Sequence, residues 1–412
     1  MNLEFFIAKR LYSTRNGDRR VSRPAVAIAQ WGMAVGMIIM IASISIIVGF
    51  KKEIREKVYG FAGHIQVSGI SDNGHGNGAL VADRELLDEI AAIDGVKRVQ
   101  SFVMKAGMVI ADNEYEGIAI KGVGDGYDME FIESCVVDGE VPLFSDTVSS
   151  KKIVISKRLA DKINSKVGES VTLYFHEGGM KARRMTVAAI FDTSIAELDN
   201  AVAFTDICTA RGVNDWAKDE VSALEITLDD YSCVDEVGGM VARKAAKHAA
   251  VRGNGISVQT IEELYPGMFT WLGVLDQTVW IILILVICIA AFTMISGLLI
   301  LILEKGNFIG ILKAIGAKNV SIRRIFIYYA CLIIGKGMLI GNVVGIGLCL
   351  LQQYTGLVSI DPEMYYMDRV PIEFTWLLIP MNIVMFVISV MVLVLPSMII
   401  SKIEPTKAIK FE

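Results

Sequence analysis

Charge is missing from four long stretches of this chain: Pro24–Phe50, Gln277–Leu303, Ile325–Gln353 (interrupted once, by Lys336) and Phe374–Ser401. Each exceeds the ~20 residues that a helix needs to cross a ~30 Å hydrocarbon core. None has the polar face that a helix on a soluble protein keeps toward water. Between the first stretch and the second lies a polar segment, 51–276, long enough to fold on its own. The pattern predicts four transmembrane helices with one large domain inserted between helices 1 and 2. The first stretch far exceeds the 7–15-residue apolar core of a signal peptide and reads as a retained anchor.

Within the polar segment the periodicity changes repeatedly. Phe50–Tyr59 keeps a helical pattern past the apolar run, so the first helix is expected to project as a stalk. His64–Ser68 alternates as a strand, 69–78 reads as a glycine-rich loop, and Glu85–Ala91 as a helix. Met108–Ile110 and Gly117–Lys121 flank a polar Asp112-Asn113 turn, which reads as a hairpin. A second block follows: strand Ile153–Ile155, helix Ser156–Lys166, then strands Val171–Phe175 and Met185–Phe191 around a loop at His176–Arg184. Strand Ala223–Leu228, helix Val234–His248 and strand Ile256–Gln259 lead to a helix, Thr260–Trp280, that runs into the second apolar stretch. The segment is therefore α+β, as one body or as two lobes meeting near residue 145.

Loop charges orient these elements. The arm 1–23 carries six basic residues against Glu4 and Asp18, and loop 304–324 carries Lys305, Lys313, Lys318, Arg323 and Arg324 against Glu304. Tail 402–412 adds three lysines, whereas loop 354–373 has Arg369 alone against four acidic residues. The positive-inside rule puts arm, 304–324 and tail in the cytoplasm, and domain 51–276 and loop 354–373 outside it. The outer domain holds 24 basic and 36 acidic residues, net −12, which argues against a nucleic-acid partner.

Catalytic chemistry is not expected. There is no glycine-rich loop ending in Gly-Lys-Ser/Thr, no HExxH and no GxSxG, and the four histidines are scattered, so no metal site is predicted. Of six cysteines, Cys135, Cys208 and Cys233 lie in the outer domain without metal-ligand spacing, which permits one disulfide at most. Two features of the spans stand out. Gly32 and Gly36, and Gly337, Gly341 and Gly345, recur every four residues and predict close helix packing. Lys336 lies ~16 Å along its apolar stretch, a depth that predicts burial against other helices or a wet cavity.

The sharpest motif is cytoplasmic: Glu304-Lys305…Phe308-Ile309-Gly310-Ile311-Leu312-Lys313-Ala314-Ile315-Gly316. Ile311, Leu312 and Ile315 form an apolar strip at helical spacing between glycines, suited to docking in a partner's groove or lying on the bilayer. This segment resembles the coupling segment of the FtsX-like permease superfamily. The resemblance extends along the chain. Arg19-Arg20…Gly32…Gly36…Gly49-Phe50…Gly60-Phe61…His64-Ile65 is similar to the first span of lipoprotein-releasing permeases (LolC/LolE type). Ile155–Ala160 with Val167–Val171, an acidic turn at Leu198-Asp199-Asn200, Tyr366–Pro371 and the ending Glu404–Glu412 also match in order.

The resemblance implies a permease subunit in a bacterial inner membrane, with a second permease chain and cytosolic ABC ATPase subunits that bind ATP and Mg; this chain itself would hold no cofactor. Glu304, Lys305, Phe308, Gly310–Lys313, Ile315 and Gly316 would couple to the ATPase. The implied cargo is a lipoprotein destined for the outer membrane; an efflux permease of the macrolide-exporter type and a permease transmitting force to cell-wall hydrolases are the alternatives. Met40, Val48, Phe50, Phe269 and Leu272 are placed where a lipid-anchored substrate would come in laterally. Met33, Met37 and Met40 are read either as lining an acyl cavity or as plain lipid-facing side chains. A periplasmic lipoprotein carrier is a further implied partner, but 175–184 is short and lacks proline, unlike the family's carrier-recruiting hook.

Overall fold

The computed structural model describes residues 3–13, 22–70, 77–111, 114–176, 179–200, 202–252, 255–361 and 365–398. The predicted turn at 112–113, most of the glycine-rich loop, residues 14–21 of the basic arm and the tail lie outside them. The chain divides into two compact units: 1–51 with 271–359 and 369–412, and 52–270 with 360–368.

The first unit is helical. Its long helices are Ser22–Ala62, which continues into the other unit, Pro266–Glu304 and Asn319–Thr355, with Leu378–Ser397 shorter. Among the described residues three helices are long and apolar enough to cross a membrane; the fourth contributes a shorter apolar stretch, Leu378–Val394. The four-residue glycine spacing has a direct cause. A Cβ on Gly341 would stand 2.5 Å from Met37 Cβ and 2.7 Å from the Ala34 carbonyl oxygen, and one on Gly337 2.8 Å from the Gln30 oxygen. A Cβ on Gly32 would strike the Thr293 methyl at 2.6 Å. The first helix is thus packed on both sides, against the third helix and against the second. Met33, Met37 and Met40 are buried between helices, neither facing lipid nor lining an open cavity. Gly49 makes a further close approach that spacing did not reveal, 2.7 Å from its would-be Cβ to the Pro371 carbonyl oxygen.

The second unit is the one-body alternative: among the described residues it is built on a single eleven-stranded mixed sheet with helices packed on it, and Leu80–Val81 pairs separately with Glu220–Val221. Along the main path of that sheet the strands run in the order Ile256–Thr260, Ile65–Ile70, Ala223–Leu228, Val96–Ala111, Glu114–Val123, Val202–Asp206, Lys152–Ser156, Met180–Phe191, Val136–Gly139. Strands from either side of residue 145 pair directly: Val202–Asp206 runs parallel to 119–123, and Ala223–Leu228 antiparallel to Val96–Ala111. The expected loop at His176–Arg184 is mostly strand: Ser170–His176 and Met180–Phe191 pair down to His176 opposite Met180. The long first helix ends at Gly63, whose φ of +67° suits glycine and whose N–H bonds the Tyr59 carbonyl at 2.9 Å. The chain then enters Ile65–Ile70, whose edge neighbour, Ile256–Thr260, is the strand that leads back toward the second long helix. That return is not one helix, as expected, but Ile261–Leu264, a break at Tyr265, and a new start at Pro266. Proline disfavours a helical conformation in the residue before it, and Tyr265 sits accordingly at φ −120°, ψ 58°.

Candidate functional site: a surface helix and an anchored stalk

Between the second and third long helices, Gly306–Ala314 forms a separate short helix. Its C-terminus is closed by a Schellman arrangement. Gly316, at φ +93°, donates its N–H to the Lys313 carbonyl at 3.0 Å, and Ala317 donates to the Leu312 carbonyl at 3.0 Å. The predicted apolar strip does not share one face. Ile309 and Gly310 are buried and Leu312 packs inward, while Ile311 and Ile315 stand 50% and 79% exposed. Phe308 and Lys313 are half-buried. Glu304 and Lys305 form an ion pair at 3.8 Å, and neither Glu304 oxygen has a hydrogen-bond partner among the described residues. The helix therefore has a rooted side and an exposed apolar ridge.

The lateral-entrance residues separate. Met40 is buried in helix packing and Leu272 is buried, whereas Val48 and Phe50 are half-buried on the first helix. Lys51 forms an ion pair with Asp276, so the first and second helices are joined side chain to side chain. Phe269 belongs to the other unit. Lys336 is exposed rather than buried, with its ammonium 6.0 Å from the centre of the Tyr12 ring on the N-terminal helix Leu3–Ser13.

In the sheet unit, the end of the first helix is fixed by a buried cluster that periodicity did not reveal. Lys121 and Glu225, both almost wholly buried, pair at 2.6 Å; Lys121 also donates to the Phe61 carbonyl at 3.2 Å, and Tyr127 donates its hydroxyl to Glu225. The Lys121 ammonium lies 4.7–5.7 Å from the rings of Phe102, Tyr127, Phe61 and Phe204. Burial and the adjacent Glu225 carboxylate push the Tyr127 phenol well above its ordinary range. His64 accepts from the Leu228 N–H at 2.9 Å, and burial lowers it to about 4, so it is neutral near pH 7. A second anchor uses Lys57, which donates to the carbonyls of Thr193 (3.1 Å) and Tyr366 (2.9 Å). Residues 365–368 are held there further by the Tyr366 hydroxyl donating to Glu197 at 3.2 Å. At the acidic turn, Asp199 is buried, accepts from Thr193 N–H and Oγ1, and is pushed up to about 6 by that burial.

Among the described residues no group of three or more His, Cys, Asp or Glu side chains is placed to hold a metal ion, and all six cysteines are free thiols.

Comparison with known proteins accounts for both units. The FtsX-like permease C-terminal family matches residues 280–405, and the MacB-like periplasmic core domain family matches residues 27–244. Lipoprotein-releasing system transmembrane protein LolC of Neisseria meningitidis serogroup B is 24% identical over 405 residues, covering 92% of each chain. LolE of Haemophilus influenzae is 23% identical over 424 residues, covering 99% of each. The solved extracellular domain of the noncanonic ABC-type transporter YknZ aligns at a TM-score of 0.34 with 17% identity, covering 48% of this chain and 98% of that one.

Proposed function

Since this chain belongs to the FtsX-like permeases with a MacB-like periplasmic core domain, we propose that it is the membrane subunit of an ATP-driven transporter that extracts lipoproteins from the bacterial inner membrane for delivery toward the outer membrane. On this reading the chain spans the membrane four times, Leu378–Ser397 supplying the fourth span, with both ends in the cytoplasm and residues 52–270 in the periplasm. It works as a pair of permease chains with two cytosolic ABC ATPase subunits, which carry ATP and Mg.

The observation that carries the reading is the helix Gly306–Ala314. Its inner side is rooted in the helical unit while Ile311 and Ile315 face outward on a segment made rigid by the Gly316 cap. An exposed apolar pair on a short rigid helix suits a partner's groove. Displacement of that helix would be felt by the second and third spans, between which it lies in sequence. At the other end, the strands leaving the first span and leading to the second are hydrogen-bonded neighbours, so the sheet receives both connections at one edge. Removing an acyl chain from a leaflet costs ~0.8 kcal/mol per CH₂, a demand that favours a nucleotide-driven stroke over passive release. Val48 and Phe50, half-buried on the first span, remain the proposed lateral entrance; Met40 and Leu272 are withdrawn from it by their burial, and Phe269 belongs to the other unit.

Two experiments test the reading. Ile311→Asp with Ile315→Asp should abolish ATPase stimulation by the permease while leaving its folding intact; unchanged stimulation would overturn the coupling assignment. Depletion of the chain should strand lipoproteins in the inner membrane. Normal lipoprotein sorting with lost drug resistance would transfer the chain to the macrolide-exporter reading, and normal sorting with defective cell-wall hydrolysis to the force-transmitting one.

A further inference from the structure

The N-terminal helix Leu3–Ser13 folds back against the start of the third long helix. Phe5 meets Tyr328 edge-on at 5.9 Å between ring centres, and Tyr12 meets Tyr329 at 6.0 Å. Beneath it is a cavity of about 550 Å³, within the ~300–1,000 Å³ of small-ligand sites. Its walls are mainly apolar, with Phe6 and Leu11 from the N-terminal helix, Phe308 and Leu312 from the surface helix and Phe326 from the third span. Two cations, Arg10 and Lys305, belong to the same lining. Glu304 lies beside Lys305 at 3.8 Å, and Glu4, on the N-terminal helix, is engaged by Arg324 at 3.9 Å.

From this arrangement we propose that the cavity is a binding site for an anionic phospholipid of the cytoplasmic leaflet, with an acyl chain against the apolar walls and the phosphate toward Arg10 and Lys305. The proposal rests on the orientation given under the proposed function. Three observations favour a lipid over a water-soluble anion. The lining is predominantly apolar. Tyr329 lines the site with Tyr12 against its ring, as tyrosines sit at the headgroup level of a bilayer. The site joins the ends of two spans, where basic pockets recognise anionic headgroups. Because Leu312 and Phe308 of the surface helix form part of the wall, an occupied site would brace the rooted side of that helix against the spans.

The test places a photo-reactive phenylalanine analogue at Phe6, which is 43% exposed at the cavity and tolerates a ring of similar shape. A control probe replaces Ile289, exposed on the second span. Full-length protein is reconstituted in phosphatidylcholine vesicles containing a minor fraction of phosphatidylglycerol, irradiated, and its lipid adducts identified by mass spectrometry. Position 6 should capture phosphatidylglycerol about five-fold above its bulk fraction, the equivalent of ~1 kcal/mol for a basic residue at an anionic surface. Arg10→Gln should return that ratio toward bulk, and position 289 should report bulk composition throughout. Bulk composition at position 6, or no lipid there while position 289 captures it, overturns the proposal alone. Capture of an ATPase subunit in place of lipid, when the two are co-expressed, would assign the cavity to the partner and also overturn it. No lipid at either position would instead remove the membrane reading on which it rests.

Discussion

Replacing Glu225 by leucine should destabilise the sheet unit by roughly 3–5 kcal/mol, because it strands the buried ammonium of Lys121. Lys121 is 1% and Glu225 4% exposed, so water cannot enter without opening the strands around them. Once the carboxylate is gone, Lys121 retains the Phe61 carbonyl at 3.2 Å and four ring faces, the nearest at 4.7 Å. Desolvated cation–π contacts contribute up to ~2 kcal/mol or somewhat more, too little to replace a full counter-charge. Tyr127 would also lose its acceptor, adding a penalty of ~1–3 kcal/mol where the hydroxyl finds no other partner. The double variant Lys121→Met/Glu225→Leu removes both charges and should stand much closer to wild type, since replacing a buried pair with apolar groups is often neutral. Hydrogen exchange of amides in 96–111 and 118–123, measured on the full-length protein, reads the opening free energy locally. If Glu225→Leu left those amides within ~0.5 kcal/mol of wild type, or if the double variant cost as much as the single, the stranded-charge argument would be refuted.

Gly341→Leu should lower the melting temperature in detergent through an overpacking cost of ~1–3 kcal/mol, whereas Gly347→Leu, with nothing within 4 Å of its would-be Cβ, should be neutral; equal effects would deny that the spacing encodes helix contact. Asp199 is raised from 3.8 to about 6, so its neutral form adds stability that is present in full below 3.8 and is lost as pH rises through about 6. Asp199→Asn should flatten the pH dependence of unfolding across that window, and an unchanged profile would reject burial as the cause. Lys57→Met should free residues 365–368 and raise their hydrogen exchange without disturbing the Lys121 cluster; unchanged exchange would show that Lys57 is not what holds them.

What the sequence revealed and what it concealed divide along physical lines. Helices were legible because apolar periodicity is local, and the glycine stripes because a missing side chain at four-residue intervals has a single geometric meaning. Gly316 was legible as a boundary for the same reason: a helix ending in the left-handed region favours glycine. The direction of a methionine in an uncharged helix was not legible, since lipid and a neighbouring helix present equally apolar surroundings. Met33 and Met37 are buried only because Gly337 and Gly341 bring the third helix that close. Lys336 was legible in part: a charge deep in an apolar stretch pointed to another helix or a wet cavity, but nothing in that stretch announced that the neighbour would be Tyr12, more than three hundred residues earlier.

The pairing of Ile65–Ile70 with Ile256–Thr260 shows the same limit at larger scale, and it matters most for mechanism. Both strands were expected from their alternation, yet neither names its partner, because register is set by contacts almost two hundred residues apart. Had these strands lain at opposite edges of the sheet, movement of one span would have reached the other only through the whole unit. As hydrogen-bonded neighbours they make the two connections one mechanical element. The buried Lys121 cluster fixes that element at the Phe61 carbonyl, and the Arg55–Glu262 pair at 4.0 Å links the stalk to the returning segment. Under the proposed function, a displacement entering through either span would therefore be delivered to the same edge of the sheet, as closure on a cargo would require.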